Sequence, residues 1–215
     1  MLGNPRTHIR NIVGNAVFIP AVEMKNALAQ VGELAISKDQ RTKAIVIINP
    51  NNPTGVLYSN DTLLSIAEIA RQHRITVLSD EIYDRLVMDG LTHTALASLA
   101  NDVPCVSFNG LSKSHRIAGF RVGWMVVSGD KKKIKGYIEG LNLLSSMRLC
   151  SNVPAQSIVQ TALGGVQSVD ELLLPGGRIY EQREFVYNAL CEIDGISVVK
   201  PKAAFYIFPK LDAKK

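Results

Sequence analysis

From residue 44 onward the sequence alternates short β-branched runs with longer stretches of helical period, and that order confines the chain to strands joined in parallel by right-handed crossovers. Residues 44–48 (AIVII) are apolar throughout, as a strand covered on both faces requires. Residues 49–55 follow as a rigid turn with Pro50, Pro53 and Gly55. The spacing predicts a helix over 61–73, with Leu63, Leu64, Ile66, Ala67 and Ala70 as its apolar stripe. Residues 75–78 give the next strand, which runs into Ser79-Asp80-Glu81, and residues 103–108 and 122–127 give two more around a loop at 109–120. The sheet then carries polar loops at its strand ends, where open α/β sheets bind ligands.

Beyond Asp130 the pattern turns helical over 131–147, 154–163 and 172–193, the last interrupted by Pro175-Gly176-Gly177. Residues 196–199 and 204–208 predict a two-stranded ribbon that opens a second, smaller unit. Upstream of residue 44 the period is weak, with a strand at 17–19 and a helix at 21–31 as the readable parts.

Composition narrows the class further. With 47% hydrophobic and 20% charged residues in 215, disordered and collagen-like chains are excluded. Twenty-four Lys and Arg against 19 Asp and Glu leave a net charge of +5, which favours anionic ligands, phosphate or carboxylate as much as nucleic acid. The run Lys131, Lys132, Lys133 and Lys135 follows a Gly129-Asp130 cap without interleaved aromatic rings and reads as a solvated helix face. Cys105, Cys150 and Cys191 stand too far apart for a disulfide framework or a metal site, which implies a reducing interior. Without an apolar run of membrane length or a signal-peptide order, the chain is read as cytoplasmic.

Four polar clusters fall on successive strand ends. The turn at 49–55 presents Asn52 on a backbone stiffened by two prolines, although a plain turn explains the prolines equally well. In Asp80-Glu81-Ile82-Tyr83-Asp84 a carboxylate sits at the carboxyl edge of a strand with a phenol close behind, and a helix cap would also account for the acid. Asn109-Gly110-Leu111-Ser112-Lys113-Ser114 carries one lysine between two hydroxyls. Such a lysine forms an imine with an aldehyde when partly desolvated, and is otherwise a surface residue. Arg121, eight residues after Lys113, is placed to fork onto a phosphate or to pair with a carboxylate. His115 reads as a loop residue, His73 as a cation at a helix carboxyl end, and Tyr206 as packing.

Taken together, AIVIINPNNPTG (44–55), SDEIYD (79–84), SFNGLSKSHRIAGFRVGWMV (107–126) and KAAFYIFP (202–209) resemble the fold-type-I pyridoxal-phosphate enzymes of the aspartate-aminotransferase superfamily, and within it the alanine-type aminotransferases. The resemblance runs from about Arg41 to the end. It implies an α/β fold with a mostly parallel central sheet in an aspartate-aminotransferase-like large domain, plus part of a small α+β domain. The units are then 1–43 as an atypical segment of the large domain, 44–168 as its cofactor-binding part, and 169–215 as the start of the small domain. It also implies pyridoxal 5'-phosphate as cofactor and ping-pong transfer of an amino group from alanine or a similar amino acid to 2-oxoglutarate or pyruvate.

By the same resemblance Lys113 is the lysine that bonds the cofactor aldehyde and moves the substrate proton, and Asp80 pairs with the pyridine nitrogen. Asn52 and Tyr83 hydrogen-bond the ring oxygen, and Ser112 and Arg121 hold the phosphate. Gly110 stands where many relatives have a hydroxyl, which implies one phosphate donor fewer. The family works as a homodimer without nucleic acid or membrane partners.

The chain departs from the family pattern in three places. Gly14-Asn15-Ala16 is the one candidate for an upstream phosphate loop, no aromatic residue lies between Phe18 and Tyr58 to stack on a cofactor, and the sequence stops before a carboxylate-binding arginine beyond 202–209. The expectation is a shortened copy that binds the cofactor weakly, transaminates negligibly and dimerises poorly. The alternatives are a non-catalytic derivative, or a β-lyase or regulatory domain on the same fold.

Overall fold

In the computed structural model, residues 15–18 and 42–212 are described, with side chains from residue 42. The helix expected at 21–31 and the end of the strand expected at 17–19 lie outside them. Five strands form one sheet in the spatial order β1 (Asn15–Phe18), β2 (Thr42–Ile48), β3 (Thr76–Asp80), β4 (Cys105–Gly110) and β5 (Gly123–Ser128). The first four run parallel.

β5 runs antiparallel to β4, against the expectation of a parallel continuation. A parallel return needs a crossover of a dozen or more residues, usually helical. The connection here, residues 111–122, only just reaches that length and holds one helical turn, α3 (Leu111–Ser114), and one 3-10 turn, Ala118–Phe120, so no helix spans the sheet to carry the chain across and it folds back beside β4. The register sets Ile48 against Asp80, Asp80 against Phe108, and Gly110 against Gly123. The ends of β2, β3 and β4 and the start of β5 therefore share one edge.

One face of the sheet is covered by α1 (Asn60–His73) and α2 (Leu96–Leu99). Ser59 caps α1 by accepting from the Thr62 amide at 3.2 Å, and Arg74 closes it in the left-handed conformation at φ 53°. Leu63, Ile66, Ala67 and Ala70 pack on Ile45, Ile47, Val77 and Cys105. Each fully buried Leu or Ile contributes about 1.5–3 kcal/mol, so packing rather than helix propensity holds α1 in place. Leu64, expected in the same stripe, is 44% exposed, because it lies one residue around the helix from Leu63. Ala44, Leu78 and Val106 form the core of a separate cluster with Val46, Phe108 and Val127.

The helical half breaks more often than its periodicity indicates. A 3-10 turn, Lys131–Ile134, precedes α4 (Lys135–Arg148), and the stretch expected at 154–163 divides at Ile158 into α5 (Val153–Ser157) and α6 (Val159–Gly164). Pro175-Gly176-Gly177 separates α7 (Asp170–Leu173) from α8 (Arg178–Cys191). Asp130 accepts from the Lys132 amide at 3.1 Å, which caps the lysine run as a polar face.

The expected ribbon is also re-paired. β6 (Ile196–Ser197) meets β7 (Lys210–Leu211), not residues 204–208. Ala204 has a left-handed φ of 59°, which a strand interior does not accept, and its amide donates to the Leu86 carbonyl at 2.8 Å. Residues 201–206 thus form a strap. The Lys202 and Ala203 amides both donate to Gly55 at 2.9 and 3.0 Å, Met88 donates to Lys202 at 3.0 Å, and Ala203 bridges Val87. A second core cluster joins Tyr83, Leu86 and Met88 to Val169, Leu173 and Ala204. No helix among the described residues is long and apolar enough to cross a membrane.

Candidate active site

At the end of β2 two buried asparagines build the turn. Asn49 Oδ1 accepts from the Tyr58 amide at 2.9 Å, and Asn51 Oδ1 accepts from Thr54 Oγ1 at 2.7 Å and from its amide at 3.3 Å. Asn52, between the two prolines, is left exposed at the edge. Gly55 closes the turn at φ 69°. A Cβ there would lie 2.4 Å from Pro201 Cβ, so only glycine admits the strap at this distance.

Asp80 is the last residue of β3 and half-buried. Its Oδ1 accepts from the Ile82 amide at 3.2 Å, and burial raises its pKa above the usual carboxylate range while that hydrogen bond pulls the other way. Oδ2 has no hydrogen-bond partner among the described residues. The neighbouring Glu81 is buried deeper, accepts from Ser79 Oγ at 2.9 Å, and is likewise pushed up by desolvation.

Tyr83 is 2% exposed. Its ring meets Phe205 and Tyr206 edge-on at centroid distances of 5.9 and 5.6 Å, and its hydroxyl lies 2.5 Å from the Tyr206 hydroxyl. Burial, then the Tyr206 hydrogen bond, then nearby charge including Asp80 hold its ionisation well above the ordinary phenol range. The Lys113 Nζ stands 5.7 Å from the centre of the Tyr83 ring, within reach of a cation–π attraction.

Lys113 and Ser112 lie in α3, which springs directly from the end of β4, and both are half-buried. Gly110 fits this junction because a Cβ would come within 2.8 Å of the Val122 carbonyl. Asn109 Nδ2 donates to Asp84 at 2.8 Å and ties the β4 end to the loop that carries Tyr83. Arg121 precedes β5, exposed, with a left-handed φ of 53° and one guanidinium N–H given to the Ala118 carbonyl at 2.7 Å.

The structure therefore brings Lys113 and Tyr83 together, with Asp80 and Ser112 at the same edge. Asn52 and Arg121 stand at that edge too, and neither hydrogen-bonds to Asp80, Tyr83 or Lys113. His115 is a loop residue held at both nitrogens, Nε2 donating to the Ala162 carbonyl and Nδ1 paired with Ser114 Oγ, each at 2.9 Å. Tyr206 packs as expected, its ring edge-on to Tyr83 and against the second core cluster, and its hydroxyl adds a hydrogen bond with Tyr83 that the packing reading did not include. The partners are 123 residues apart in sequence, and no local pattern announces such a pair.

A mostly parallel α/β sheet with a lysine, a half-buried carboxylate and a phenol at the ends of adjacent strands defines an aspartate-aminotransferase-like protein. The family described as aminotransferase class I and II matches residues 14–215, and the chain belongs to it. It is 52% identical over 202 residues to the glutamate-pyruvate aminotransferase AlaA of Escherichia coli, covering 94% of this chain and 50% of that protein. It is 50% identical over 182 residues to the alanine aminotransferase of Mycobacterium tuberculosis, covering 85% of this chain and 42% of that protein. Among solved structures, an aminotransferase from Escherichia coli matches at TM-score 0.82 with 55% identity over 86% of this chain and 46% of its own. The alanine aminotransferase of Pyrococcus furiosus matches at TM-score 0.77 with 40% identity over 85% of this chain and 46% of its own. The chain spans about half the length of these relatives.

The donor set also fits the cofactor typical of this family. A cationic ring nitrogen requires a carboxylate oxygen open to it, and Asp80 Oδ2 has no hydrogen-bond partner among the described residues.

Proposed function

We propose that this protein transfers an amino group between alanine or glutamate and a 2-oxo acid, pyruvate or 2-oxoglutarate, with pyridoxal 5'-phosphate as cofactor. The observation that carries the reading is Lys113 Nζ poised 5.7 Å over the Tyr83 ring, at the edge where Asp80 Oδ2 has no hydrogen-bond partner among the described residues. The names of the relatives support the substrate pair. The chemistry supplied by the bound cofactor is an aldehyde that joins to amines and a cationic ring that draws electrons from the substrate α-carbon.

The chain's residues divide the remaining work. Asp80 Oδ2 accepts from the ring N–H and keeps that proton in place. Its partial burial strengthens the pairing, because a carboxylate removed from water has no competing solvent. Tyr83 Oη and Asn52 Nδ2 donate to the ring oxygen. Ser112 Oγ and the guanidinium N–H groups of Arg121 not given to Ala118 bind the phosphate, the arginine by a two-pronged contact. Lys113 Nζ anchors the cofactor and then carries the proton removed from the substrate α-carbon. The Tyr83 ring lies along one side of this general base and limits the directions from which it is approached.

The protein is further read as cytoplasmic, a reading supported by its free cysteines, and the full-length family as homodimeric, with the exposed Leu143, Leu144 and Met147 of α4 an apolar face suited to a second copy even where this chain alone pairs poorly. Sedimentation at micromolar concentration tests the dimer.

Borohydride reduction of the protein with pyridoxal phosphate, followed by peptide mapping, tests the site. The expected label is on Lys113, lost in Lys113→Ala, with alanine-dependent formation of glutamate from 2-oxoglutarate. A label on Lys43 or on the 131–135 run overturns the assignment, and release of ammonia and pyruvate from a cysteine-type substrate makes the protein a β-lyase.

A further inference from the structure

We infer that Tyr206 is a positioning residue for the proposed reaction: its hydroxyl donates to Tyr83 and thereby turns the Tyr83 proton toward the cofactor ring oxygen. The inference rests on the function proposed above. Each phenol owns one O–H proton, and the two oxygens lie 2.5 Å apart, so one proton occupies the space between them. If Tyr83 supplied it, Tyr83 would have no proton left for a ligand. The order Tyr206 to Tyr83 to ring oxygen is the one arrangement in which both bonds form. A phenol that accepts a hydrogen bond becomes a stronger donor, so the ionised ring oxygen gains from a residue that never touches it.

The backbone holds Tyr206 in place for this role. Residues 202–204 hydrogen-bond on one side to Gly55, at the turn that carries Asn52, and on the other to Leu86 and Met88, just after Tyr83. A Cβ on Gly55 would lie 2.6 Å from the Tyr206 carbonyl oxygen, so the strap has no slack at this point. Phe205 packs on the same Tyr83 ring without a hydroxyl, which separates packing from donation.

The test compares Tyr206→Phe, Tyr83→Phe, the double variant and Phe205→Leu, each loaded with pyridoxal phosphate. The readout is the pH midpoint of the visible absorbance change of the lysine-bound cofactor. Tyr206→Phe is expected to raise that midpoint by about 0.3–0.8 units, part of one hydrogen bond, and Tyr83→Phe by about 1 unit. The double variant should match Tyr83→Phe alone, because the relay has no other route. Phe205→Leu should leave the midpoint unchanged. Equal shifts in Tyr206→Phe and Phe205→Leu, or no shift in Tyr206→Phe, overturn the relay while the Lys113 label leaves the proposed function standing.

A second measurement needs no cofactor. The shared hydroxyl proton should give a downfield proton resonance, protected from exchange, that disappears in either Phe variant. Its absence from the unsubstituted protein overturns the pairing. A protein with the resonance but no label on Lys113 refutes the proposed function, and the relay to a ring oxygen with it.

Discussion

Gly55 and Pro201, far apart in sequence, approach so closely that one added carbon on Gly55 would sit 2.4 Å from Pro201 Cβ. Two costs then fall on Gly55→Ala: a left-handed φ of 69°, and a collision with the strap's backbone oxygens at 2.6 and 3.0 Å. The expected loss of stability is about 2–4 kcal/mol, a conformational part of about 1–2 plus the displacement of packed backbone. Gly90 has the same φ of 69° but open space around it, so Gly90→Ala should lose only the conformational part. Urea unfolding of both variants checks the difference, and equal losses would mean that the strap yields freely.

Arg183 holds the other end of this strap. It is 7% exposed, grips Asp89 through two N–H groups at 2.9 and 2.6 Å, and donates to the Pro201 carbonyl at 3.2 Å. Truncation to Ala removes the Arg183 donors from Asp89, Glu184 and that carbonyl, leaving Glu184 to Lys200 and Asp89 to Lys202, and should cost about 2–3 kcal/mol, below a fully buried pair because both acids reach solvent and keep a second cation. The Arg183 hydrogen bond lowers the Asp89 pKa, and Lys200 and then Arg183 lower that of Glu184. Groups depressed in the fold contribute stability above the ordinary carboxylate range and lose it as pH falls through their folded values. The deficit of Arg183→Ala should therefore be full at pH 7 and shrink in acid, as unfolding midpoints across pH will show.

The sheet was legible in the sequence because its strands are built on short apolar runs such as AIVII at 44–48, set between polar turns. The site's edge was legible for the same reason, since each polar cluster begins where such a run stops. What lay beyond reach depended on where backbone groups find partners. FYIF at 205–208 has strand composition, yet its neighbours Lys202 and Ala203 bond Gly55, and the positive φ of Ala204 ends any ladder. The break at Ile158 carries neither Gly nor Pro, so nothing local marks it. The reversal of β5 follows from the shortness of the α3 helical turn, a tertiary choice rather than a propensity. Tyr206 escaped because a hydroxyl pair across 123 residues has no period.

Thiol chemistry should discriminate sharply among the three cysteines. Cys105 is fully buried in β4, and burial pushes its pKa up to about 11, whereas Cys150 and Cys191 are exposed. Reactivity follows the accessible thiolate. A disulfide reagent at pH 8 should count two fast thiols in the folded protein and three after denaturation. A fast third thiol in the native protein would mean that β4 opens.

Glu81 should make the protein less stable as the solution becomes more basic. It is 6% exposed, and desolvation raises its pKa above the ordinary value while the Ser79 hydrogen bond partly opposes the shift. Unfolded, the same carboxyl titrates near about 4.3. Between the two values the folded state binds more protons than the unfolded one, so stability falls as pH rises through that window. Glu81→Gln has no charge to desolvate and keeps an amide oxygen to accept from Ser79 Oγ. The variant should be more stable than the parent at pH 8, with the gain fading as pH falls toward 4. Asp102 supplies the opposite sign: its hydrogen bonds from Arg71 lower its pKa to about 2. The stability it adds is present above its ordinary range and lost as pH falls toward 2, so Asp102→Asn should show its deficit at neutral pH and none in strong acid. Thermal midpoints of both variants from pH 2 to pH 8 decide the matter, and a Glu81→Gln curve parallel to the parent's would show that this carboxyl titrates normally in the fold.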